Sequence, residues 1–327
     1  MIHRNINVQI AEGLRVLRQR IEHADIPSSR LDETLNIATW NIREFGRRRR
    51  TEAAIHYIGE ILPQFDLIAI IEVRDNLTDM NRVLEILGAH WDVLFSDFNT
   101  DAAGNRERIA FLYDKRAVTF TGLAAESDPP RAKDRKTGEY LPAITWWRSP
   151  YMASLRSGNF DFILLAAHIR WAGEDPALRV PELRQLAEWI DKRHKEKYVI
   201  DKDFIILGDF NIPQLDDKLY QAITSKGLTI PDALRSTSHG TNLARNKRYD
   251  QILHHHRSTK TFTDYGGALD FFREDWRALF PDESYTSMTK EAFTYELSDH
   301  LPLWVQIDTW VDDEELDQFL ARRKRGS

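Results

Sequence analysis

Six short segments of the chain share one chemical theme: each is a polar patch, and nearly every one adjoins a hydrophobic run typical of a β-strand. In chain order they are IATWNIREFG at 37–46, DLIAIIEVRD at 66–75, RERIAFLYD at 106–114, LLAAHIRW at 164–171, FIILGDFNIP at 204–213 and ELSDHLPLW at 296–304. Loops at strand ends are where a rigid sheet presents side chains to a substrate. Acids and amides supply hard oxygen ligands for Mg²⁺, and histidines transfer protons near neutral pH. The pattern therefore predicts one metal-dependent hydrolytic site.

The segment FIILGDFNIP carries an acid and an amide directly after a buried-strand pattern. The apolar run stops at Gly208, and Asp209 and Asn211 follow it. Because side chains alternate along an extended chain, Asp209 and Asn211 are expected on one face. Such a pair can bind a hydrated metal and a phosphate oxygen. Asp-x-Asn is equally common in turns, so the preceding strand and the glycine give the pattern its weight.

Two histidines occupy equivalent settings. His168 ends the apolar run LLAA, and His300 precedes an apolar strand with Asp299 beside it. Two histidines on opposite sides of a phosphorus could serve as general base and general acid. A lone strand-end histidine is more often a core residue, and Asp299 could equally cap a turn. Asp250 could orient a histidine, as the acid does in a catalytic triad, or lie at a strand edge.

Glu72 follows a fully apolar run, where a carboxylate costs free energy unless it is paired or metal-bound. Arg74 is expected on the same side, so a structural Glu–Arg pair is the alternative. The arginines at 47–50 follow Gly46 and could hold phosphates at the rim of the site or form a solvated face. The histidines at 254–256 alternate between two faces, which favours a strand end over a metal site.

The composition limits the possible classes of protein. The chain has 327 residues, 42% of them hydrophobic, which is enough for a sizeable core. The absence of cysteine excludes disulfides, thiolate zinc sites and cysteine nucleophiles, and it fits the cytoplasmic location that we expect. The net charge of −6 argues against a coat-like DNA binder. The N-terminus lacks a signal-peptide pattern, and the apolar runs are too short to span a bilayer.

Strand-like runs that alternate with amphipathic helices must position these patches. Helices are predicted at 52–64, 80–89 and 181–196, and the mixture favours an α/β architecture. The segment 125–145 is predicted to be an exposed loop.

Residues 6–23 predict a further helix at the N-terminus. Its apolar stripe consists of Ile10, Leu14, Leu17 and Ile21, and Arg15, Arg18 and Arg20 are expected off that stripe. The stripe could pack on the helix's own domain or form an interface with a partner, and packing on its own domain is the simpler interpretation.

Taken together, the patches resemble the endonuclease/exonuclease/phosphatase superfamily, and within it the DNase I branch. The strings IATWNIREFG, EVRD, GDFN, YD-x-I and SDH-x-P occur in that family's order along 37–304. The resemblance implies a four-layer α/β sandwich of two packed mixed β-sheets flanked by helices. It also implies hydrolysis of a phosphate ester with a divalent cation, Mg²⁺ first, with Mn²⁺ or Ca²⁺ as further candidates.

The resemblance also implies a role for each matching residue. Glu107 is expected as the partner of His168 and Asp250 as the partner of His300, while Asn211 binds the phosphate in the transition state. The implied catalytic residues are His168, His300, Glu107, Asp250, Asp209 and Asn211. The implied metal ligands are Glu72, Asn41, Asp209 and Asp299. The implied substrate contacts are Arg43, Arg74, Arg148 and Asn211.

The predicted domains are an N-terminal helical extension at 1–33, a catalytic domain at 34–308 and a charged tail at 309–327. The extension and the segment 258–296 exceed the core fold and could recruit a partner or shape the substrate groove, and the N-terminal helix could bind an inhibitor. Asn105 stands where the DNase I branch often has an aromatic residue that meets the minor groove.

The predicted function is a DNase I-like endonuclease that cleaves DNA with low sequence specificity to give 5′-phosphate and 3′-hydroxyl ends. The alternative is a phosphatase or phosphodiesterase acting on a small-molecule or lipid-head-group phosphate ester. Abasic-site nucleases are a third option. A scaffold without activity is disfavoured because the residues that the chemistry needs are all present.

Overall fold

The structure is a computed structural model, and the description of the chain is confined to the residues placed in it. These residues are 2–4, 6–98, 105–127, 129, 131–142, 146–171, 173, 175–236, 240–255, 261–273 and 275–310. The predicted tail at 309–327 lies almost entirely outside the described residues, as does His256.

Strands and helices alternate along the chain as the hydrophobic pattern predicts. The strands are β1 (Thr34–Phe45), β2 (Leu67–Arg74), β3 (Trp91–Phe95), β4 (Glu107–Asp114), β5 (Thr119–Glu126), β6 (Arg131–Lys133), β7 (Tyr140–Pro142), β8 (Tyr151–Ser157), β9 (Phe160–His168), β10 (Phe204–Asp209), β11 (Leu228–Thr229), β12 (Asp250–His255), β13 (Phe262–Ala268) and β14 (Leu303–Asp308). The helices are α1 (Val8–Glu22), α2 (Glu52–Ile61), α3 (Thr78–Leu87), α4 (Arg179–Lys195), α5 (Lys218–Thr224) and α6 (Lys290–Glu296).

Twelve of these strands form two six-stranded mixed sheets. The first has the order β13-β14-β1-β2-β4-β3, and the second has the order β11-β12-β10-β9-β8-β5. Each sheet has one parallel pair at its centre, β1–β2 in the first and β9–β10 in the second. The remaining neighbours in each sheet are antiparallel. Parallel strands bring their carboxyl ends to the same edge, which is where the polar patches follow β1, β2, β9 and β10.

The two sheets pack face to face with helices on the outside, so the predicted four-layer α/β sandwich is confirmed. Alternation along β1 shows how the layers form. Leu35 and Ile37 join the core shared with the second sheet, whereas Ala38 and Trp40 join the core beneath α1, α2 and α3. Leu183 of α4 packs on the second sheet. Buried strands of this kind read as nearly continuous apolar runs.

Helix α1 packs on its own domain through the predicted apolar stripe, with Leu17 fully buried. Asn7 caps its N-terminus by accepting a hydrogen bond from the Ile10 amide at 2.8 Å. Arg20, which was expected off this stripe, is nevertheless buried, and it donates to the carbonyl oxygens of Phe271 and Phe272 at 2.7 and 2.8 Å. Arg20 thereby ties α1 to the segment 258–296.

The segment 125–145 differs from its prediction as a loop. Within its described residues, β6 and β7 form an exposed two-stranded hairpin. Asp134 supports the hairpin turn by accepting from the amides of Lys136 and Thr137 at 2.6 and 3.0 Å. In the part of the chain that the structure describes, no helix is long and apolar enough to cross a membrane.

Candidate active site

The polar side chains predicted from strand ends meet at one edge of the sandwich, where the two sheets face each other. In the second sheet, Asp209 of β10 pairs in register with His168 of β9 on one side and with Asp250 of β12 on the other. Three adjacent strands, β12, β10 and β9, thus carry two acids and a histidine side by side in that order. The strand register alone therefore places these three residues together.

Glu72 reaches the site from the first sheet through an irregular backbone. The pairing of β2 with β4 shifts between Ile70 and Val73, and Glu72 has a φ of +66°. A residue other than glycine in this region costs about 1–3 kcal/mol and keeps this conformation only where its surroundings hold it. Its carboxylate accepts from the Glu44 amide at 2.8 Å and from Asn41 Nδ2 at 3.3 Å. These bonds hold the carboxylate at the edge of the sheet.

Gly208 and Asn211 explain the local form of the GDFN segment. Gly208 has a φ of +130°, and a Cβ at this position would lie 2.1 Å from the Ala167 carbonyl oxygen on β9. Asn211 has a φ of +52°, so it does not continue the extended chain as the alternation argument assumed. Its amide instead donates to Asp209 Oδ1 at 2.9 Å, and its Nδ2 donates to the Ile169 carbonyl at 2.7 Å. The residue adjoins the site through a turn.

His300 is held by a fully buried acid. Its Nδ1 lies 2.7 Å from Asp250 Oδ2, as expected for the partner of a catalytic histidine. The main chain is fixed as well, since the His300 carbonyl accepts from Trp40 Nε1 at 2.9 Å and its amide donates to Ser298 Oγ at 2.9 Å. The ring therefore has one nitrogen bonded to the acid, and Nε2 directed towards Asp209.

His168 is the second histidine of the centre, and its Nδ1 lies 3.4 Å from Glu107 Oε2. The Nε2 atoms of His168 and His300 lie 3.7 and 3.9 Å from the same oxygen, Asp209 Oδ2. Asn41 Nδ2 donates to that oxygen at 3.1 Å. Two carboxylate-supported imidazoles thus face a common point between the sheets.

Burial and charge act against each other on these groups. Burial lowers the pKa of His300, but the charges of Asp250 and Asp209 outweigh it and raise that pKa well above its ordinary value. Burial likewise lowers the pKa of His168, and the Glu107 carboxylate reverses the effect, so that the net shift is upward. Both imidazoles therefore favour the protonated form beside their acids.

The carboxylates respond in opposite directions. Burial raises the pKa of Glu107, but the charges of His168 and Arg148 outweigh burial and bring that pKa down to about 2. Burial raises the pKa of Asp209, and the charge of His300 opposes this shift only in part. Glu107 is thus held as an anion, whereas burial favours the neutral form of Asp209.

Two groups of side chains among the described residues have ligand atoms close enough to hold a metal ion. One consists of Glu72, Glu107 and His168, and the other of Asp209, Asp250 and His300. Asn41 Oδ1 is buried and has no hydrogen-bond partner among the described residues, which leaves an oxygen ligand available beside Glu72. An orphaned amide oxygen next to carboxylates fits a hard divalent cation.

Asp299, predicted as a metal ligand, belongs to neither group. It is half-buried, and its charge contributes to the raised pKa of the adjacent His300. Its assignment as a ligand therefore stays a prediction that this geometry does not support.

A model of the Endonuclease/Exonuclease/phosphatase family matches residues 38–300. The chain belongs to this family. It is 26% identical to Deoxyribonuclease-1 of Oryctolagus cuniculus over 238 residues, covering 67% of this chain and 77% of that protein. It is 23% identical to Deoxyribonuclease-1 of Bos taurus over 287 residues, covering 84% and 92%. The predicted membership in the DNase I-like branch is confirmed.

The fold comparison agrees with the family assignment. The human Nocturnin catalytic domain superposes with a TM-score of 0.52 at 15% identity, covering 85% of this chain and 95% of that one. Because the identity is only 15%, this likeness shows the fold alone. Members of the Endonuclease/Exonuclease/phosphatase family hydrolyse phosphate esters, and the chain is accordingly a phosphate-ester hydrolase.

The arginines predicted as substrate contacts are engaged within the protein. Arg148 forms an ion pair with Glu107, and Arg74, which is buried, pairs with Glu44 at 3.1 Å. Arg43 donates to the Tyr295 hydroxyl at 3.0 Å, and its guanidinium lies 3.9 Å from the centre of that ring. All three surround the centre, but each is held by an internal partner.

The arginine run at 47–50 divides into surface and buried members. Arg47 and Arg49 are exposed and form ion pairs with Glu44 and Glu52. Arg50 is buried, and burial lowers its pKa to about 10 against nearby acids such as Glu296. Neither expectation for Arg50, a phosphate contact at the rim or a solvated face, was correct. Its buried guanidinium donates to the Arg43 carbonyl inside the protein.

Two residues that support the site, Ser298 and Thr241, were not predicted from the sequence. Ser298 donates to the Asn41 carbonyl and accepts from the His300 amide, so it links β1 to His300. The Thr241 hydroxyl accepts from the Asp250 amide at 3.1 Å. The serine of the SDH string could have been noted, but no pattern in the sequence signals Thr241.

Proposed function

We propose that the chain is a divalent-metal-dependent phosphodiesterase, specifically a DNase I-like endonuclease. It cleaves DNA backbones with low sequence specificity and leaves 5′-phosphate and 3′-hydroxyl ends. The observation that carries this proposal is the pair of acid-supported histidines whose Nε2 atoms lie 3.7 and 3.9 Å from Asp209 Oδ2. The similarity to Deoxyribonuclease-1 supports DNA as the substrate.

The chemistry follows from the two imidazoles. A water oxygen attacks the phosphorus, and one histidine in its neutral form accepts the proton that the water loses. The bond from phosphorus to the 3′-oxygen breaks, and the other histidine donates its proton to that oxygen. Asp250 and Glu107 keep the rings oriented and stabilise their charged forms. The raised pKa values of His168 and His300 suit whichever of them donates its proton at neutral pH, and the other must lose its proton before it accepts one from water.

A divalent cation, with Mg²⁺ as the first candidate and Mn²⁺ or Ca²⁺ in addition, would be held by Glu72 together with the orphaned oxygen of Asn41. When bound, it would supply positive charge that polarises the phosphoryl group and offsets developing negative charge. Asp209, whose pKa is raised by burial, would gain from the same positive charge. Asn211, which donates to Asp209 through its amide, would hold the phosphate.

Backbone recognition rests on the arginines around the centre. Arg47 and Arg106 line a surface cavity together with Arg74 and Asn105, next to the strand that carries Glu72. Guanidinium contacts with phosphates fix position without reading bases, so little sequence specificity is expected. The enzyme should also lose activity steeply as salt is added.

A second candidate is a phosphatase or phosphodiesterase acting on a small-molecule or lipid-head-group phosphate ester. One observation favours it: Arg43, Arg74 and Arg148 are all engaged with partners inside the protein. A small substrate needs no extended basic surface. The catalytic groups would serve either substrate, so substrate choice must be measured.

The test is nicking of supercoiled plasmid by the purified protein with Mg²⁺. Chelator and His168→Ala are the loss-of-function controls, and a salt series measures the backbone contribution. Nicking that needs both the metal and His168 and that weakens with salt supports the nuclease. Intact plasmid, with phosphate released from small esters, supports the second candidate. The cytoplasmic location and a partner or inhibitor for residues 1–33 stay predictions.

A further inference from the structure

A cavity of about 320 Å³ opens beside the catalytic centre on the side of Glu72, Glu107 and His168. Its volume lies in the range of small-molecule pockets, roughly 300–1,000 Å³. The segments 96–98 and 146–149 supply much of the remaining wall. Because the cavity shares three side chains with the centre, any occupant lies directly next to the reacting phosphate.

The outer wall of this cavity is aromatic. It contains Phe98, Trp146 and Trp147. Trp147 is 37% exposed, and the Arg170 guanidinium lies 4.5 Å from its ring centre. Phe98 is half-buried, with the Arg108 guanidinium 5.2 Å from its ring centre. Exposed aromatic rings beside cationic groups are the surfaces on which unpaired bases stack.

The polar groups of the cavity wall complement a nucleotide. Arg108 Nε is buried and has no hydrogen-bond partner among the described residues. Arg148 pairs with Glu107 through Nε, but its buried Nη1 likewise has no such partner, so both arginines call for a ligand rich in acceptors. Asp97 and Glu126 lie in the same wall and present carboxylates to hydrogen-bond donors. A ligand that offers a flat ring, acceptors and exocyclic amino groups satisfies all three features.

We propose that this cavity is a subsite for one unpaired nucleobase, adjacent to the scissile phosphate of a nucleic-acid substrate. The inference rests on the proposed phosphodiesterase function and adds to it a substrate class. A base in a duplex must be unpaired and unstacked before it can enter the cavity, and this step costs more free energy in a duplex than in a single strand. The enzyme therefore prefers single-stranded or frayed nucleic acid to intact duplex.

The first test measures binding without catalysis, by titration calorimetry in chelator. The probes are deoxyadenosine 5′-monophosphate and 2-deoxyribose 5-phosphate, which differ by the base. We expect the nucleotide to bind roughly tenfold more tightly, as one stacking contact provides. Trp147→Ala abolishes this difference, and Trp147→Phe largely retains it. Equal binding of the two probes would identify a sugar-phosphate pocket and overturn the proposal.

The matched control is Tyr198→Ala. Tyr198 is 86% exposed and precedes the start of β10, at the opposite end of that strand from Asp209. This variant removes an exposed aromatic ring far along the sheet, so the difference between the two probes should stay as in the unaltered protein. A loss of the difference in this variant as well would point to general damage and not to the cavity.

The second test measures cleavage of a single-stranded oligonucleotide in which one abasic residue is moved along the chain. The value of kcat/KM for the phosphate next to the abasic residue should fall roughly tenfold, and the fully paired duplex should be cut more slowly than the single strand. Cutting that ignores the abasic residue, or that favours duplex, overturns the subsite. If the base-dependent binding holds but neither strand is cut with Mg²⁺, the nuclease proposal fails while the subsite stands.

Discussion

Replacing Asp250 by asparagine removes the charge that faces His300 and keeps the size of the side chain. Asp250 is 1% exposed, and its Oδ2 lies 2.7 Å from His300 Nδ1. A hydrogen bond to a charged group contributes about 1.5–3 kcal/mol, and each 1.4 kcal/mol is tenfold in rate. We expect kcat/KM to fall by about 10- to 150-fold in Asp250→Asn. Removing the imidazole itself in His300→Ala should cost more, about 10²–10⁴-fold.

The assay compares initial cleavage rates of the unaltered protein, Asp250→Asn, His300→Ala and the double variant across pH. Because Asp250 acts through His300, the double variant should be no slower than His300→Ala. Loss of the negative charge destabilises the imidazolium, so the pKa of His300 falls. The limb of the pH profile that reports His300 should therefore move to lower pH.

Asp161→Asn is the matched control, since Asp161 forms a surface ion pair with Arg156 at 2.7 Å. The same chemical change at that position should leave the rate and the pH profile as they were. The reasoning is refuted if the double variant is far slower than His300→Ala, which would give Asp250 a role independent of the histidine. An unmoved pH limb in Asp250→Asn would refute the electrostatic part.

Three further predictions concern stability and are measured by urea unfolding. Leu17→Ala should lower the free energy of unfolding by about 2–5 kcal/mol, because the side chain is fully buried. Val8→Ala on the exposed face of α1 is the control, and an equal loss of stability in that variant would contradict the packing of α1 on the domain. Gly208→Ala should destabilise by about 1–3 kcal/mol or more, since its Cβ would meet the Ala167 carbonyl, and an unchanged stability would refute that contact. Glu107→Gln should lower stability at neutral pH by at most about 3 kcal/mol. The pKa of Glu107 in the folded protein is about 2, below the ordinary 4.5. The difference in the free energy of unfolding between the unaltered protein and Glu107→Gln should therefore be complete above pH 4.5 and disappear as the pH falls towards 2. A difference that persists at pH 2 would exclude charge as its cause.

The residues at strand ends could be predicted because their signal is local. An apolar run that stops at Asn41, Glu72, His168 or Asp209 indicates both a buried strand and the point where it meets solvent. Parallel strands bring such ends together whatever their separation in the chain, so the pattern predicted that these four side chains lie close together.

Features that depend on long-range pairing could not be predicted in this way. The left-handed backbone of Glu72 arises from a register shift against β4, and no local pattern signals that shift. Arg20 and Arg50 look like surface cations in the sequence, yet both are buried. Arg20 donates to a main-chain carbonyl of the distant segment that contains Phe271, and Arg50 donates to the carbonyl of Arg43 in β1. A buried arginine can be recognised only when the acceptors that compensate its burial are known.

The amide of Asn41 joins the two sheets, since its Nδ2 donates to Glu72 in the first and to Asp209 in the second. The candidate catalytic centre is therefore also a place where the two sheets are bonded to each other. A cation that binds there binds only while the halves remain together, so its binding free energy opposes their separation. Amide hydrogen exchange in the middle of β1 and β10 should consequently slow when the ion is added, even without substrate.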